Sequence, residues 1–355
     1  MTVVSDAVWS AQGTAPDAIA AALRELLKER HAQNTGWVPA RVLNMVAFVD
    51  RQYSGEVANR LRGVGRYHAS RTIVLSYDPG QTRLDAHAAV ASEGDPTPGE
   101  LALLRETVVV EIGEHHLDDL PTIVDPLVVS DMPTLLWSPH GHPEAVDALL
   151  DLAQAVLLDS IDEPVWREAV CRAEELARRA YVVDLAWLRS IPWRERIAST
   201  FDPPRMRPEL AGISALSVRH HPESTVAAVL LAGWLAARLG WQTSPLSSRE
   251  GVLTGSAQSP IGKITLHLER DPAQTVRGLA GLTLRTEAGL ELSLDRAPGG
   301  LRAHRRERAG GPEREWTILG ASRGEGGILG EGIRAALLRD PTYVPALRAA
   351  QAMLP

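Results

Sequence analysis

Five short, almost uninterrupted apolar runs fall in the first 160 residues: VLNMVAFVD (42–50), RTIVLSYD (71–78), TVVVEIGE (107–114), PTLLWSP (133–139) and AVLLDS (155–160). Runs of this length without polar alternation suit strands buried on both faces. Helix-like stretches separate several of them, and residues 17–30 place Ile19, Leu23, Leu26 and Leu27 at helical spacing behind Asp17, which suits the helix dipole. Doubly buried strands joined by helices require a mostly parallel sheet with helices on each side. An α/β domain is therefore expected over residues 1–162. DAHAAVASEG (85–94) is expected to add an antiparallel strand beside residues 107–114, with residues 94–99 as the exposed turn.

The pattern changes after Glu163. Trp166, Val170, Ala173, Ala177, Ala180 and Leu188 recur at three- and four-residue spacing and predict a helix over residues 163–189, broken or restarted at Pro192. The proline-rich DPPRMRP (202–208) reads as a linker, which makes residues 163–208 a helical connector. Residues 209–355 begin with a strand (213–220) and a buried helix ending at Gly240. Strands follow at 263–270, 279–286, 290–296 and 315–321, then helices around 328–338 and 343–353. Ile264, Leu266 and Leu268 alternate with polar neighbours, the signature of an antiparallel sheet with one wet face, so an α+β C-terminal domain is expected.

A formal net charge of -7 speaks against nonspecific attraction to nucleic acid, whose phosphates require basic surface. The basic stretch LRAHRRER (301–308) lies between glycine-rich turns and reads as a solvated hairpin or loop. Cys171 is the only cysteine, so no internal disulfide can form. No signal peptide is recognisable in the first ten residues, and the apolar stretch 225–237 is too short to span a bilayer. A reducing, cytoplasmic setting without membrane attachment is the expectation.

Residues for chemistry are sparse. A dinucleotide cradle needs G-x-G-x-x-G between strand and helix, and neither Gly63-Val64-Gly65 nor Gly324-Glu325-Gly326-Gly327 has that spacing, so both read as turns. His115-His116, on a strand, would point to opposite faces, and His140 and His142 have no identifiable third ligand, so no metal is expected. Asp159 and Ser160 follow a probable central strand, at the edge where open α/β sheets bind ligands. With Arg71 they define a candidate small anionic-ligand pocket. Helix capping and an internal ion pair are the competing reading. No catalytic residue and no cofactor is assigned.

The densest recognition chemistry is YVVDLAWLRSIPWRERIASTFD (181–202), with two tryptophans, three arginines and no glycine. Trp and Arg contribute most when desolvated in a fitted pocket. Trp187, Arg189, Trp193, Arg194 and Arg196 are therefore candidate partner-interface residues, with packing at a seam between domains as the alternative for the tryptophans. Trp137 and Trp234, inside apolar runs, are assigned to core.

Five segments together carry a resemblance: RYHASRTIVLS (66–76), DPLVVSDMPTLLW (125–137), VLLDSID (156–162), VVDLAWLRSIPWRERIASTFD (182–202) and LLAGWLAARLGW (230–241). The chain resembles the glucose-6-phosphate dehydrogenase assembly protein family, OpcA. That resemblance implies a noncatalytic partner that promotes assembly or allosteric activation of glucose-6-phosphate dehydrogenase, at the entry to the oxidative pentose phosphate pathway. Thiol-redox control, found in photosynthetic members, is not expected from Cys171 alone. The alternatives are a sugar-phosphate enzyme or a metabolite sensor using the Asp159 strand edge, with a small-molecule effector.

Overall fold

The structure is a computed structural model and describes residues 6–39, 41–64, 69–92, 100–307, 311–319 and 324–355. The expected turn at 94–99 lies outside the described residues. The chain forms two compact units, one comprising Met1–Leu158, Arg179–Val183 and Leu329–Leu338, the other Asp159–Arg178, Asp184–Ile328 and Arg339–Pro355. One sheet is mostly parallel and the other mostly antiparallel, as the two hydrophobic patterns require.

The first sheet contains β1 (Ala7–Ala11), β2 (Trp37–Pro39), β3 (Leu43–Asp50), β4 (Ser70–Tyr77), β5 (Asp85–Ser92), β6 (Ala102–Ile112), β7 (Thr134–Trp137), β8 (Ala155–Leu158) and β9 (Tyr181–Asp184). Its order is β1-β5-β6-β4-β3-β7-β8-β9, with β2 paired to β6. The pairs β3–β4, β4–β6, β3–β7 and β7–β8 are parallel, and β5 is antiparallel to β6, as expected. Within β3 every residue from Leu43 to Val49 is buried, which explains the absence of alternation in its sequence. Helices α1 (Pro16–Gln33) and α2 (Arg51–Val64) pack on β5 and on β3 and β4 respectively. The unit also holds the short helices α3 (Leu120–Val124) and α4 (Pro143–Leu149).

The predicted helix over 163–189 is not continuous. Helix α5 (Trp166–Ala177) ends at Arg178, Tyr181–Asp184 forms β9, and α6 (Leu185–Arg189) and α7 (Ile191–Phe201) follow. Tyr181, Val182 and Val183 favour a pleated surface, and their burial in the sheet overrides the helical spacing that Ala180 and Leu188 suggested.

The short α8 (Arg207–Ala211) leads into the second sheet, ordered β11 (Gln242–Thr243), β13 (Val252–Gln258), β14 (Lys263–Arg270), β10 (Ile213–His220), β15 (Leu279–Thr286), β16 (Glu291–Ala297), β17 (Gly300–Arg306) and β18 (Glu313–Leu319), with β12 (Ser247–Arg249) on β13. Only β10–β14 is parallel among these pairs. The basic stretch read as a loop or hairpin is largely strand β17. One face of the sheet lies under α9 (Thr225–Leu239), which packs on β10 and β14 and is itself covered by α11 (Tyr343–Gln351). Gly233 permits that close helix contact, because a Cβ there would collide with the Ala346 carbonyl oxygen. Helix α10 (Gly324–Leu338) starts on the Gly324–Gly327 stretch, so that stretch is a helix start and not a turn.

Candidate functional site

The 159–162 motif and residues 184–202 of the Trp/Arg motif meet in the second unit. Asp159 accepts from the Ile161 N–H at 3.4 Å and caps a short 3-10 turn over Ser160–Asp162. Both of its carboxylate oxygens also lie within reach of one Arg189 nitrogen, Nη1, which donates to Oδ1 at 2.9 Å and sits 2.8 Å from Oδ2. Both side chains are about nine-tenths buried, with exposures of 10% and 12%. Burial pushes the Asp159 carboxyl up to about 7, with Asp162 and Asp184 adding to the rise and Arg189 opposing it.

Asp184, 1% exposed, ends β9 and caps α6. It accepts from Ala186 N at 2.9 Å, Ser160 N at 3.2 Å and Tyr343 Oη at 3.0 Å. Burial raises its pKa while these donors oppose the rise. Asp184 thus binds the end of one motif to the start of the other.

Trp187 continues the network. Its ring lies 5.5 Å from that of Tyr343, and Nε1 donates to Asp340 Oδ2 at 2.8 Å. The Arg194 guanidinium sits 3.5 Å above the indole centroid, donates to Trp187 O at 3.2 Å and to Ser190 Oγ at 3.0 Å, and lies 3.8 Å from Asp340. Burial lowers the Arg194 pKa to about 10 even with Asp340 and Glu195 near it. At Asp340 burial acts to raise the pKa, but donors from Thr342 and Trp187 and the charge of Arg194 hold it below the usual range.

Of the candidate interface residues, Trp187 and Trp193 are each 2% exposed and Arg194 is 8% exposed, so these three act from beneath the surface. Arg196 is half-buried on α7 between exposed Glu195 and exposed Ala198 and Ser199. Trp137 is buried, whereas Trp234 is half-buried.

The candidate anionic pocket is not assembled as read from sequence. Arg71 lies in the amino-terminal part of β4, while Asp159 follows the carboxyl end of β8, and the parallel strands put these at opposite ends of the sheet. Arg71 is spent on Glu106, bonded at 2.7 Å, and on Leu127 O at 3.0 Å. Glu106 is 1% exposed and is also paired with Arg41. Ser160 is buried against Asp184.

Strands β6-β4-β3-β7-β8-β9 stand in the 3-2-1-4-5-6 order of a dinucleotide-binding sheet, whose ligand crevice opens where the order reverses, between β3 and β7. The residues there do not fit a dinucleotide. β3 passes straight into α2 at Arg51, with no glycine turn to admit a pyrophosphate. His142, at φ 60°, places Nε2 3.0 Å from Asp50 Oδ1 and Nδ1 3.2 Å from Glu144 Oε1. Its ring packs 4.9 Å from Phe48 and 5.5 Å from Tyr77, and His140 lies 4.2 Å from Tyr53. The other histidine pair is on a 3-10 turn, Glu114–His116, not on a strand, with rings 3.9 Å apart and His116 Nδ1 accepting from Gly113 N. No group of three metal-ligating side chains is present among the described residues.

Comparison with known proteins settles the family. The glucose-6-phosphate dehydrogenase subunit N-terminal domain matches residues 62–178, and the C-terminal domain of the same subunit matches residues 180–347. The chain belongs to the OpcA family. Relatives named putative OxPP cycle protein OpcA, from Synechococcus elongatus and Synechocystis, are each 27% identical, over 148 and 140 residues. These matches cover 41% and 38% of this chain and 33% and 30% of the relatives, so the similarity spans about a third of the relatives' length. The crystal structure of an oxidoreductase domain protein from Kribbella flavida is similar in fold, with TM-score 0.50 and 11% identity over 88% of this chain and 95% of that one.

Asp159, Arg189, Trp187 and Arg194 stand out in the sequence as candidates, whereas Asp184, Asp340 and Tyr343 do not. Asp184 had a local signal: an acidic residue directly before the helix-forming Leu-Ala-Trp. Asp340 and Tyr343 had none, because their partners are more than 150 residues away in the chain.

Proposed function

We propose that this OpcA-family chain is a noncatalytic partner of glucose-6-phosphate dehydrogenase, promoting its assembly or its allosteric activation in the oxidative pentose phosphate pathway. The observation that carries this reading is the pair of matches to the N- and C-terminal domains of a glucose-6-phosphate dehydrogenase subunit, running from residue 62 to residue 347.

The Trp/Arg motif supplies a recognition surface in two layers. Trp187, Trp193 and Arg194 fix α6 and α7 from within, and Arg196 with its exposed α7 neighbours makes contact. An activator must bind the active state of its partner more tightly, and about 1–3 kcal/mol of coupling changes affinity by roughly 5- to 150-fold. The test is steady-state kinetics of the dehydrogenase from the same organism with and without this chain, alongside light scattering of the mixture. A lowered Michaelis constant for glucose 6-phosphate or a larger, more active assembly is expected. No complex and no kinetic change would remove the proposal.

A further inference from the structure

One buried carboxylate in the first unit is shared by two arginines. Glu106, on β6, is 1% exposed and stands in register with Arg71 on β4. Arg71 donates from Nε to Oε2 at 2.7 Å, places Nη2 2.7 Å from the same oxygen, and donates from Nη1 to Leu127 O at 3.0 Å, so its whole guanidinium is used. Arg41, two residues before β3, donates from Nε to the other oxygen, Oε1. A third arginine lies on the neighbouring helix. Leu127 closes the 3-10 turn Asp125–Leu127, which packs on α1, and α1 carries the exposed Arg24. Burial lowers the Arg71 pKa against the pull of Glu106, and the charges of Arg41 and Arg24 lower it further.

The set is overcharged for a structural ion pair. A buried carboxylate needs one well-placed counter-charge, and Arg71 already supplies it. With Arg41 and Arg24, three arginines surround one carboxylate, an excess of two positive charges. Acids are not scarce, since the chain has 44 against 37 lysines and arginines. Asp125, on the same turn, is exposed and pairs with none of the three among the described residues. Arg41 Nη1 and Nη2 and every nitrogen of Arg24 also lack a partner among the described residues. The Arg41 side chain is 20% exposed, and a guanidinium fixed at Nε presents its two remaining nitrogens as one preformed fork.

We propose that Arg41 and Arg24 bind a phosphate group, with Glu106 and Arg71 holding the Arg41 fork in place. Geometry and charge select this ligand together. A planar fork matches two oxygens of one oxyanion, which admits carboxylate and phosphate alike. The excess of two positive charges favours a dianion, and a phosphate monoester carries about −1.5 to −2 at neutral pH. The site shares only Arg71 with the pocket read from sequence, and it lies at the opposite, amino-terminal end of the parallel strands β3 and β4. It involves no contact with the dehydrogenase, so its failure and the failure of the partner reading are separate results.

The test is titration calorimetry of the full chain with inorganic phosphate and with glucose 6-phosphate at fixed ionic strength, with acetate as the monoanion control. Phosphate is expected to saturate the chain below about 10 mM, and acetate to bind roughly tenfold or more weakly. Arg41→Ala and Arg24→Glu should each weaken phosphate binding roughly tenfold or more, because each removes or opposes a charge-assisted contact. Arg24 is exposed and Arg41→Ala leaves the Arg71–Glu106 pair in place, so both variants should melt at the wild-type temperature in chloride. Should Arg41→Ala melt lower, Arg24→Glu decides, since its position on α1 faces solvent. Equal affinities for the two phosphates assign the site to the phosphate group alone, and tighter glucose 6-phosphate assigns it to a phosphorylated metabolite; each result supports the inference. No saturation by either phosphate below about 10 mM, acetate as tight as phosphate, or phosphate binding indifferent to the substitutions overturns it.

Discussion

Trp187→Ala should lower the stability of the second unit by about 3–5 kcal/mol, the range for truncating a buried aromatic side chain. The indole is 2% exposed, so most of its surface is lost from packing. Its removal also takes away the donor to Asp340, the ring against Tyr343 and the surface beneath Arg194. Arg194 and Asp340 would be left 3.8 Å apart with fewer partners. At about 2–4 °C per kcal/mol for a unit of this size, the melting temperature should fall by roughly 6–20 °C. Trp187→Phe should cost less, since it keeps ring volume and loses chiefly the Nε1–Asp340 bond. Arg196→Ala should leave melting unchanged and reduce activation of the partner dehydrogenase. Unchanged melting of Trp187→Ala, measured by calorimetry, would refute the buried-anchor role and return Trp187 to the surface motif.

The contrast between Trp187 and Arg196 shows what could be read from sequence. Strands β3, β4, β7 and β8 were legible because burial on both faces suppresses alternation, and that suppression is visible without coordinates. β9 was hidden because four residues between helices carry too little pattern to outweigh flanking alanine and leucine spacing. The motif itself was legible as dense Trp and Arg, but its inside and outside were not. A helix of five residues followed by one of eleven, with Pro192 at the joint, has no single periodicity from which to read a buried face. Partner choice was the least legible feature. In sequence Asp159 and Arg71 read as available for a ligand, but Arg189, thirty residues on, takes the Asp159 carboxylate, and Glu106, thirty-five residues on, takes the Arg71 guanidinium. Such long-range pairing is set by topology, and local sequence carries no record of it.

Asp159 gives the network a pH dependence whose sign can be fixed in advance. Its folded pKa is raised to about 7, against about 3.9 for an unfolded aspartate. Between those values the native state holds a proton that the unfolded state has released, so stability falls as pH rises through this window and levels off above about 7. The full change from this one group is on the order of 4 kcal/mol. Asp184, raised in the same direction by burial, adds to the slope, so total stability alone does not isolate Asp159. The difference between wild type and Asp159→Asn does. Asparagine keeps an oxygen for Arg189 and for Ile161 N–H but cannot ionise. Denaturant unfolding at pH 5 and pH 7.5 should show the wild type losing ground to the variant as pH rises. A difference that stays constant from pH 5 to pH 7.5 would mean that the Arg189 contact outweighs burial and the neighbouring carboxylates, and that Asp159 is ionised throughout. In that event Asp159 is a structural counter-ion for α6, and the proton-holding role passes to Asp184, whose partners are donors without formal charge.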